Sequence, residues 1–185
     1  MMMDSLLNFI EKSEKNAETV FIAVDGRSGS GKSYFAEESA KDFSVNLFHM
    51  DDFFLPFKER PENFGENDGD NIDFLRIINE LILPLKSKKA CVYRKFCCMT
   101  QSFSETQIPY KKINILEGTF SAHQKLREYI DFTVLLEADE KTRIKRLKER
   151  EKDNFEAFKF WLEREENYFK NFREKPRQHI CVLSD

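Results

Sequence analysis

Short apolar runs alternate with segments of helical periodicity along this chain. Each run is shorter than a typical helix and ends at polar or turn-forming residues, which favours buried strands. We predict strands at residues 20–24, 45–50, 113–116, 132–136 and 180–183. A further strand-like stretch covers residues 90–96, and a polar loop is expected after it.

Apolar residues recur at helical spacing between these runs. Leu6, Leu7, Phe9 and Ile10 predict a short amphipathic helix before the first strand. Further helices are expected at residues 34–41, at 73–83 where Pro84 ends the helix, from the cap Asp139 to about Arg150, and at 155–172. The alternation predicts an α/β fold: a mostly parallel sheet of about five strands with helices on both faces. With 185 residues, the chain is expected to form a single domain over residues 1–185.

A glycine-rich octapeptide follows the first predicted strand directly. It reads G-x-x-x-x-G-K-S and consists of Gly26, Arg27, Ser28, Gly29, Ser30, Gly31, Lys32 and Ser33. Glycines let successive backbone N–H groups point at one anion, and the helix that follows adds its positive dipole. Lys32 is suited to the β- and γ-phosphates of ATP, and the Ser33 hydroxyl is suited to Mg²⁺. The alternative is a chance match in a glycine-rich turn. The motif refines the fold prediction to the three-layer P-loop NTPase fold.

Carboxylates and arginines are expected near this loop. Asp51, Asp52 and Glu117 follow predicted strands, whose carboxyl ends share one edge of a parallel sheet. One carboxylate there can accept the proton of an attacking hydroxyl, and another can hold Mg²⁺. Arg143, Arg146 and Arg150 share one face of a predicted helix and can bind phosphate oxygens, although a solvated basic face is the alternative.

Composition excludes several classes of function. A net charge of −3 gives no general attraction to nucleic acid or anionic membranes. The sequence shows no signal-like N-terminus and no long apolar run, so we expect a cytoplasmic protein. The cysteines Cys91, Cys97, Cys98 and Cys181 lack metal-site spacing and are expected to be reduced thiols.

Four motifs in order resemble the uridine kinase group of P-loop kinases, a group related to phosphoribulokinase and bacterial pantothenate kinase. They are residues 25–33, the segment His49-Met50-Asp51-Asp52-Phe53-Phe54, the triplet Asn71-Ile72-Asp73, and the triplet Leu116-Glu117-Gly118. The resemblance implies that Asp51 takes the acceptor's proton, that Asp73 binds ribose hydroxyls, and that Glu117 lies near Mg²⁺. It also implies that Arg143 and Arg146 are lid arginines reaching the triphosphate and that Tyr93 contacts the base.

The sequence also departs from this family pattern. Phe54 replaces the usual Tyr, and the hairpin after Tyr93 lacks the family's His. Acceptor-side segments are expected at about 51–70 and 91–110, and a lid-like helical region at about 139–153.

The resulting prediction is an ATP- and Mg²⁺-dependent kinase for a small-molecule alcohol, with a nucleoside 5′-hydroxyl as the first candidate. The alternatives are another acceptor, such as pantothenate or a sugar phosphate, and a nucleotide-binding regulatory module without transfer activity. Lys32 and Asp51 are the predicted catalytic residues, and whether Asp51 or Asp52 is the base stays open. A homo-oligomer is left open.

Overall fold

Seven strands form two sheets in the structure, a computed structural model that describes residues 2–171 and 179–183. The strands are β1 (Val20–Asp25), β2 (Val45–His49), β3 (Cys91–Cys97), β4 (Ser102–Ile108), β5 (Ile113–Glu117), β6 (Phe132–Glu137) and β7 (His179–Leu183). Five of them form the main sheet in the order β2-β5-β1-β6-β7, and every pairing is parallel. The predicted α/β fold with five strands is therefore confirmed.

Both faces of the main sheet are covered because the strands are apolar on both sides. Along β1, Phe21 and Ala23 belong to one core cluster, whereas Ile22 and Val24 belong to the other. Alternate residues of a strand point to opposite faces, so the two clusters are two packed layers. Helices α1 (Met2–Lys15) and α2 (Lys32–Ala40) pack on the face of Ile22.

The opposite face is covered by a composite helix. It consists of α3 (Phe74–Arg76), a π-helical turn (Ile77–Ile82) and α4 (Leu83–Lys86). The prediction that Pro84 ends this helix is wrong. Leu83 N–H donates to the carbonyl of Ile78, five residues back, so the wider turn puts Pro84 in the first turn of α4. The missing N–H of proline costs little there.

The segment after β3, predicted as a polar loop, contains strand β4 and forms a separate hairpin with β3. Strands β3 and β4 pair antiparallel outside the main sheet. Most residues of β4 are exposed, so the strand lacks the apolar alternation by which sequence reasoning finds strands. On β3, Cys91, Tyr93 and Phe96 are buried, which attaches the hairpin to the core.

The last described elements are α5 (Glu140–Glu151), α6 (Phe155–Asn171) and β7. As predicted, Asp139 caps α5: its side chain accepts a hydrogen bond from Thr142 N–H at 2.9 Å. Tyr168 of α6 joins the same core cluster as Phe21, so α6 lies on that face of the sheet. Among the described residues, no helix has the length and apolar content needed to cross a membrane.

Candidate active site

The glycine-rich loop connects the end of β1 to the start of α2. At Gly26, with φ of 150°, a Cβ atom would lie 2.1 Å from the carbonyl oxygen of Leu136. At Gly29, with φ of 81°, it would lie 2.8 Å from the carbonyl oxygen of Arg143. Only glycine fits these positions, because both the backbone conformation and the space exclude a side chain. The loop therefore has the close packing and the helix N-terminus typical of phosphate-binding loops.

Lys32, the first residue of α2, folds back over the loop. Its Nζ donates to the carbonyl oxygens of Gly26 at 2.8 Å and Arg27 at 3.1 Å. Burial lowers the pKa of this ammonium, and the surrounding carboxylates, Glu165 first, oppose that shift. The side chain is thus anchored at the loop as a cation that phosphate oxygens can approach.

Ser33 and Glu117 meet at the carboxyl ends of three neighbouring strands. In the sheet register, Val24 of β1 and His49 of β2 both lie opposite Glu117 of β5. Ser33 Oγ donates to Glu117 Oε1 at 3.2 Å, and His49 Nδ1 lies 2.6 Å from the same oxygen. The hydrogen bond that the imidazole donates to Glu117 is the main cause that raises the pKa of His49.

These oxygen atoms fit Mg²⁺. A hydroxyl and a buried carboxylate are hard oxygen ligands, and Mg²⁺ usually takes only one or two protein ligands beside phosphate and water oxygens. Among residues 2–171 and 179–183, no group of three or more His, Cys, Asp or Glu side chains is arranged to hold a metal alone. The pair thus suits a magnesium ion that arrives with phosphates.

Asp51 and Asp52 have different surroundings although they are adjacent. They lie in a 3₁₀ turn (Met50–Phe53) after β2. Asp51 lines the same cavity as Lys32, Ser33 and Glu117. Asp52 is buried, accepts a hydrogen bond from Tyr93 Oη at 2.9 Å, and pairs with Lys95 Nζ at 2.9 Å. Of the two, Asp51 is the carboxylate that an acceptor in the cavity can reach.

The environment of Asp51 favours a proton acceptor. The residue is exposed, and it lines the cavity. Desolvation within the cavity raises the pKa of Asp51, the negative charge of Glu117 adds to the rise, and Lys32 opposes it. A carboxylate with a raised pKa is a stronger base than a solvated one.

Two arginines of α5 contact the loop. Arg143 Nη1 donates to the carbonyl oxygen of Ser28 at 3.4 Å, and Arg146 Nη1 donates to that of Gly29 at 3.1 Å. Arg146 and Arg150 also line the cavity. The helical face predicted from spacing therefore lies beside the phosphate loop.

One cavity of about 600 Å³ joins these groups to a wall of aromatic and basic side chains. The wall comes from the segment between β2 and α3 (residues 50–73) and from α6, and it consists of Phe54, Phe57, Arg60, Asn71, Phe158, Trp161 and Arg164. On α6, residues 158, 161 and 165 are spaced by three and four positions, so they share one helical face. The cavity thus extends from the glycine-rich loop to this aromatic and basic wall.

Comparisons with known proteins agree with this fold. A possible uridine kinase from Bacillus stearothermophilus has 22% identity and a TM-score of 0.60, with 100% of both chains covered. A candidate fructose transport system kinase from Silicibacter sp. TM1040 has 18% identity and a TM-score of 0.69, covering 97% of this chain and 99% of that one. YFH7 from Saccharomyces cerevisiae, a proposed P-loop containing kinase with a circular permutation, has 11% identity and a TM-score of 0.68, with 100% of both chains covered.

The fold is that of the P-loop kinases. No family model matches the sequence, and no curated protein matches it. At these identities the likeness concerns the fold, and a fold alone does not determine the chemistry of a site.

Two predicted acceptor residues lie outside the cavity lining of this kinase fold. Asp73 caps α3: its Oδ1 accepts from Arg76 N–H at 3.0 Å, and its Oδ2 lies 3.6 Å from Arg76 Nε. Tyr93 is 5% exposed, and its ring stacks on Phe53 with 5.3 Å between centroids. As they stand, both side chains are engaged in holding the turn and the hairpin in place.

Sequence reasoning missed the contribution of α6. Ser28 N–H donates to Glu165 Oε2 at 2.7 Å, and the Ser28 hydroxyl donates to Glu165 Oε1. Arg27 Nε donates to Glu166 Oε1 at 2.7 Å, and this bond lowers the pKa of Glu166. The available signal was the acidic pair in an aromatic helix, but nothing in the sequence links it to a loop 137 residues earlier.

Asp25, the last residue of β1, was also missed. Its carboxylate accepts four hydrogen bonds, from the N–H groups of Gly26, Phe120 and Ala122 and from Tyr168 Oη. Burial raises its pKa to about 6, although these donors oppose the rise. Asp25 ties the start of the phosphate loop to the segment after β5 and to α6.

Proposed function

We propose that this protein is an ATP-dependent phosphotransferase that transfers the γ-phosphoryl group to a hydroxyl of a small molecule. The observation that carries the proposal is a single cavity lined by a phosphate loop, Lys32, Ser33, Glu117 and Asp51, with room beyond for an acceptor. The P-loop kinase fold of the similar structures supports it.

The reaction follows from these positions. The acceptor oxygen attacks the γ-phosphorus, the bond between this phosphorus and the β–γ bridging oxygen breaks, and ADP leaves. Asp51 accepts the hydroxyl proton as the new P–O bond forms. Lys32, Arg143 and Arg146 offset the negative charge on the phosphates, so catalysis rests on positioning and electrostatics.

Ser33 and Glu117 are the residues that would hold Mg²⁺ in this proposal. Bound with ATP, the ion would neutralise part of the negative charge of the phosphates. Ser33 Oγ and Glu117 Oε1 are already adjacent, so little rearrangement of the chain is required.

A nucleoside 5′-hydroxyl is the acceptor that the sequence resemblance implies, and the likeness to a possible uridine kinase supports it. The residues expected to read a nucleoside, Asp73 and Tyr93, do not line the cavity. We therefore propose the alcohol as the reactive group and treat the nucleoside as one class to be tested. A cytoplasmic location is part of this proposal.

The test is ADP formation from MgATP with and without acceptors. The panel contains uridine, cytidine, fructose, pantothenate and ribulose 5-phosphate, with GTP as a second donor. Acceptor-stimulated ADP formation that the variant Lys32→Ala loses supports the kinase proposal. Tight ATP binding with no stimulation by any acceptor would instead favour a nucleotide-binding module, and would contradict transfer to a small molecule.

A further inference from the structure

Arginines and aromatic rings form a cluster in the cavity wall, defined here as the Arg60 cluster: Phe57, Arg60, Phe64, Trp161 and Arg164. The Arg60 guanidinium carbon lies 4.4 Å from the ring centre of Phe57, 4.6 Å from Phe64 and 5.7 Å from Trp161. Arg164 lies over Phe64 at 4.4 Å and over Trp161 at 5.1 Å. All members except Phe64 line the cavity.

The two arginines differ in their partners. Arg164 is 6% exposed and pairs with the buried carboxylate of Asp70. Arg60 has no carboxylate at ion-pair distance among residues 2–171 and 179–183. Its partly exposed guanidinium lies over ring faces, which leave the in-plane N–H groups free to meet an anion, and its buried Nε has no partner among the described residues.

Polar atoms in the cluster also lack partners. Within the described part of the chain, Arg60 Nε and Arg164 Nη1 are buried and donate no hydrogen bond. A buried N–H group without an acceptor costs free energy, and a buried cation without an anion costs more. Asp68 and Asp70 lie close enough to affect Arg164, but neither lines the cavity.

Binding of the ATP phosphates does not explain the positions of Arg60 and Arg164. Lys32, Arg143 and Arg146 contact the glycine-rich loop. By contrast, Arg60 and Arg164 contact residues of the segment between β2 and α3 and of α6. If these side chains only held the two segments together, the ring contacts and the ion pair of Arg164 with Asp70 would be sufficient. Arg60, a second cation with no carboxylate partner, would not be needed. The unsatisfied N–H groups therefore point to a ligand anion.

We propose that the phosphoryl acceptor is an alcohol that carries an anionic group, a phosphate or a carboxylate, and that Arg60 binds this anion together with Arg164. The inference rests on the proposed kinase function and adds the substrate class. A forked guanidinium matches two oxygens of either anion, and the rings beside it hold its plane. Arg60 is partly exposed to water in the structure, and a neutral acceptor bound over it would remove that water without supplying an anion, so the site selects against such an acceptor.

The test compares Arg60→Gln and Arg60→Lys with the wild type, using Lys58→Gln as a matched control. Lys58 carries the same charge in the same segment, but it is exposed and does not line the cavity. The acceptors are ribulose 5-phosphate for the phosphate class, pantothenate for the carboxylate class, and uridine and fructose as neutral compounds. Melting temperatures check that each variant folds.

We expect an anionic acceptor to have the highest kcat/KM. Arg60→Gln should raise its KM about 10- to 100-fold, the range for losing one charge-assisted hydrogen bond. The KM for ATP should change less than about threefold, Arg60→Lys should recover part of the loss, and Lys58→Gln should match the wild type. A role in folding alone would lower the melting temperature and change both KM values together.

A binding measurement separates the two proposals. Calorimetry with a non-hydrolysable ATP analogue present measures the affinity of each acceptor without turnover. If uridine or fructose is the preferred substrate and Arg60→Gln leaves its KM unchanged, the anionic acceptor is overturned while the kinase proposal stands. If no compound stimulates ADP formation and no anion binds, both proposals fail.

Discussion

The backbone N–H of Ser28 donates a hydrogen bond to Oε2 of Glu165 at 2.7 Å, across 137 residues of sequence. Glu165 is buried, and its other carboxylate oxygen accepts from the hydroxyls of Ser28 and Thr119. The glycine-rich loop would bind phosphate oxygens with its N–H groups. A carboxylate from α6 thus already accepts a hydrogen bond from one of these N–H groups. It holds the helix against the loop, and its charge opposes a triphosphate.

We predict that Glu165→Gln tightens ATP binding about three- to tenfold. The amide keeps an oxygen for Ser28 N–H but removes the negative charge beside the phosphates. Calorimetric titration with ATP measures the change in Kd. Glu163→Gln, an exposed change on the same helix, serves as control and should bind as the wild type does. Weaker binding by Glu165→Gln alone would mean that the carboxylate organises the loop more than it repels phosphate.

Asp25→Asn should lower the free energy of unfolding by about 2–3 kcal/mol. One carboxylate oxygen becomes an amide NH₂ group, which then faces N–H or O–H donors of Gly26, Ala122 or Tyr168. Urea denaturation measures the loss. Asp139→Asn is the matched control, because asparagine is an equally good helix cap and should cost less than about 0.5 kcal/mol. Equal stability of both variants would contradict the role given to Asp25.

His123 makes stability depend on pH. Burial lowers its pKa to about 4, and the ring stacks on Phe74 with 4.6 Å between centroids. In the unfolded chain, the His123 imidazole takes up a proton near pH 6.5. The stability that depends on neutral His123 is therefore complete above that pH and is lost as pH falls towards 4. The difference between the pKa values of the unfolded and folded states corresponds to about 3 kcal/mol of unfolding free energy.

The measurement compares the wild type with His123→Phe, which keeps the stacked ring but cannot titrate. As pH falls from 6.5 to 4, the unfolding free energy of the wild type should decrease relative to that of His123→Phe. Because the raised pKa of Asp25 acts in the opposite direction over the same range, only this difference isolates His123. A difference independent of pH would show that His123 is not held in the neutral form.

The sequence contained most of the information on the main sheet. Its strands are short and apolar because both faces are buried, so β1, β2, β5 and β6 stand out without any further knowledge. Their carboxyl ends then bring Ser33, Asp51 and Glu117 together, as the parallel alternation requires.

Other features depend on contacts that no local pattern records. Strand β4 is polar because it lies outside the core, and the helix continues past Pro84 because a π turn precedes it. The ring of Tyr93 is packed against Phe53 and its hydroxyl bonds to Asp52, and neither contact can be read from a local pattern. The roles given to Arg60 and Glu165 depend on contacts between α6 and segments about 100 or more residues earlier in the chain.

The proton acceptor is the centre of this account, and Asp51→Asn tests it most directly. The substitution keeps the shape of the side chain but removes the base, so kcat with a turned-over acceptor should fall at least about 100-fold. The Kd for MgATP should stay within about threefold of the wild-type value, since Lys32 and the loop remain. Rapid-mix single-turnover measurement of ADP formation, with ATP binding measured in parallel, gives both values. A kcat within a few-fold of the wild type would contradict the assignment of Asp51 as the base.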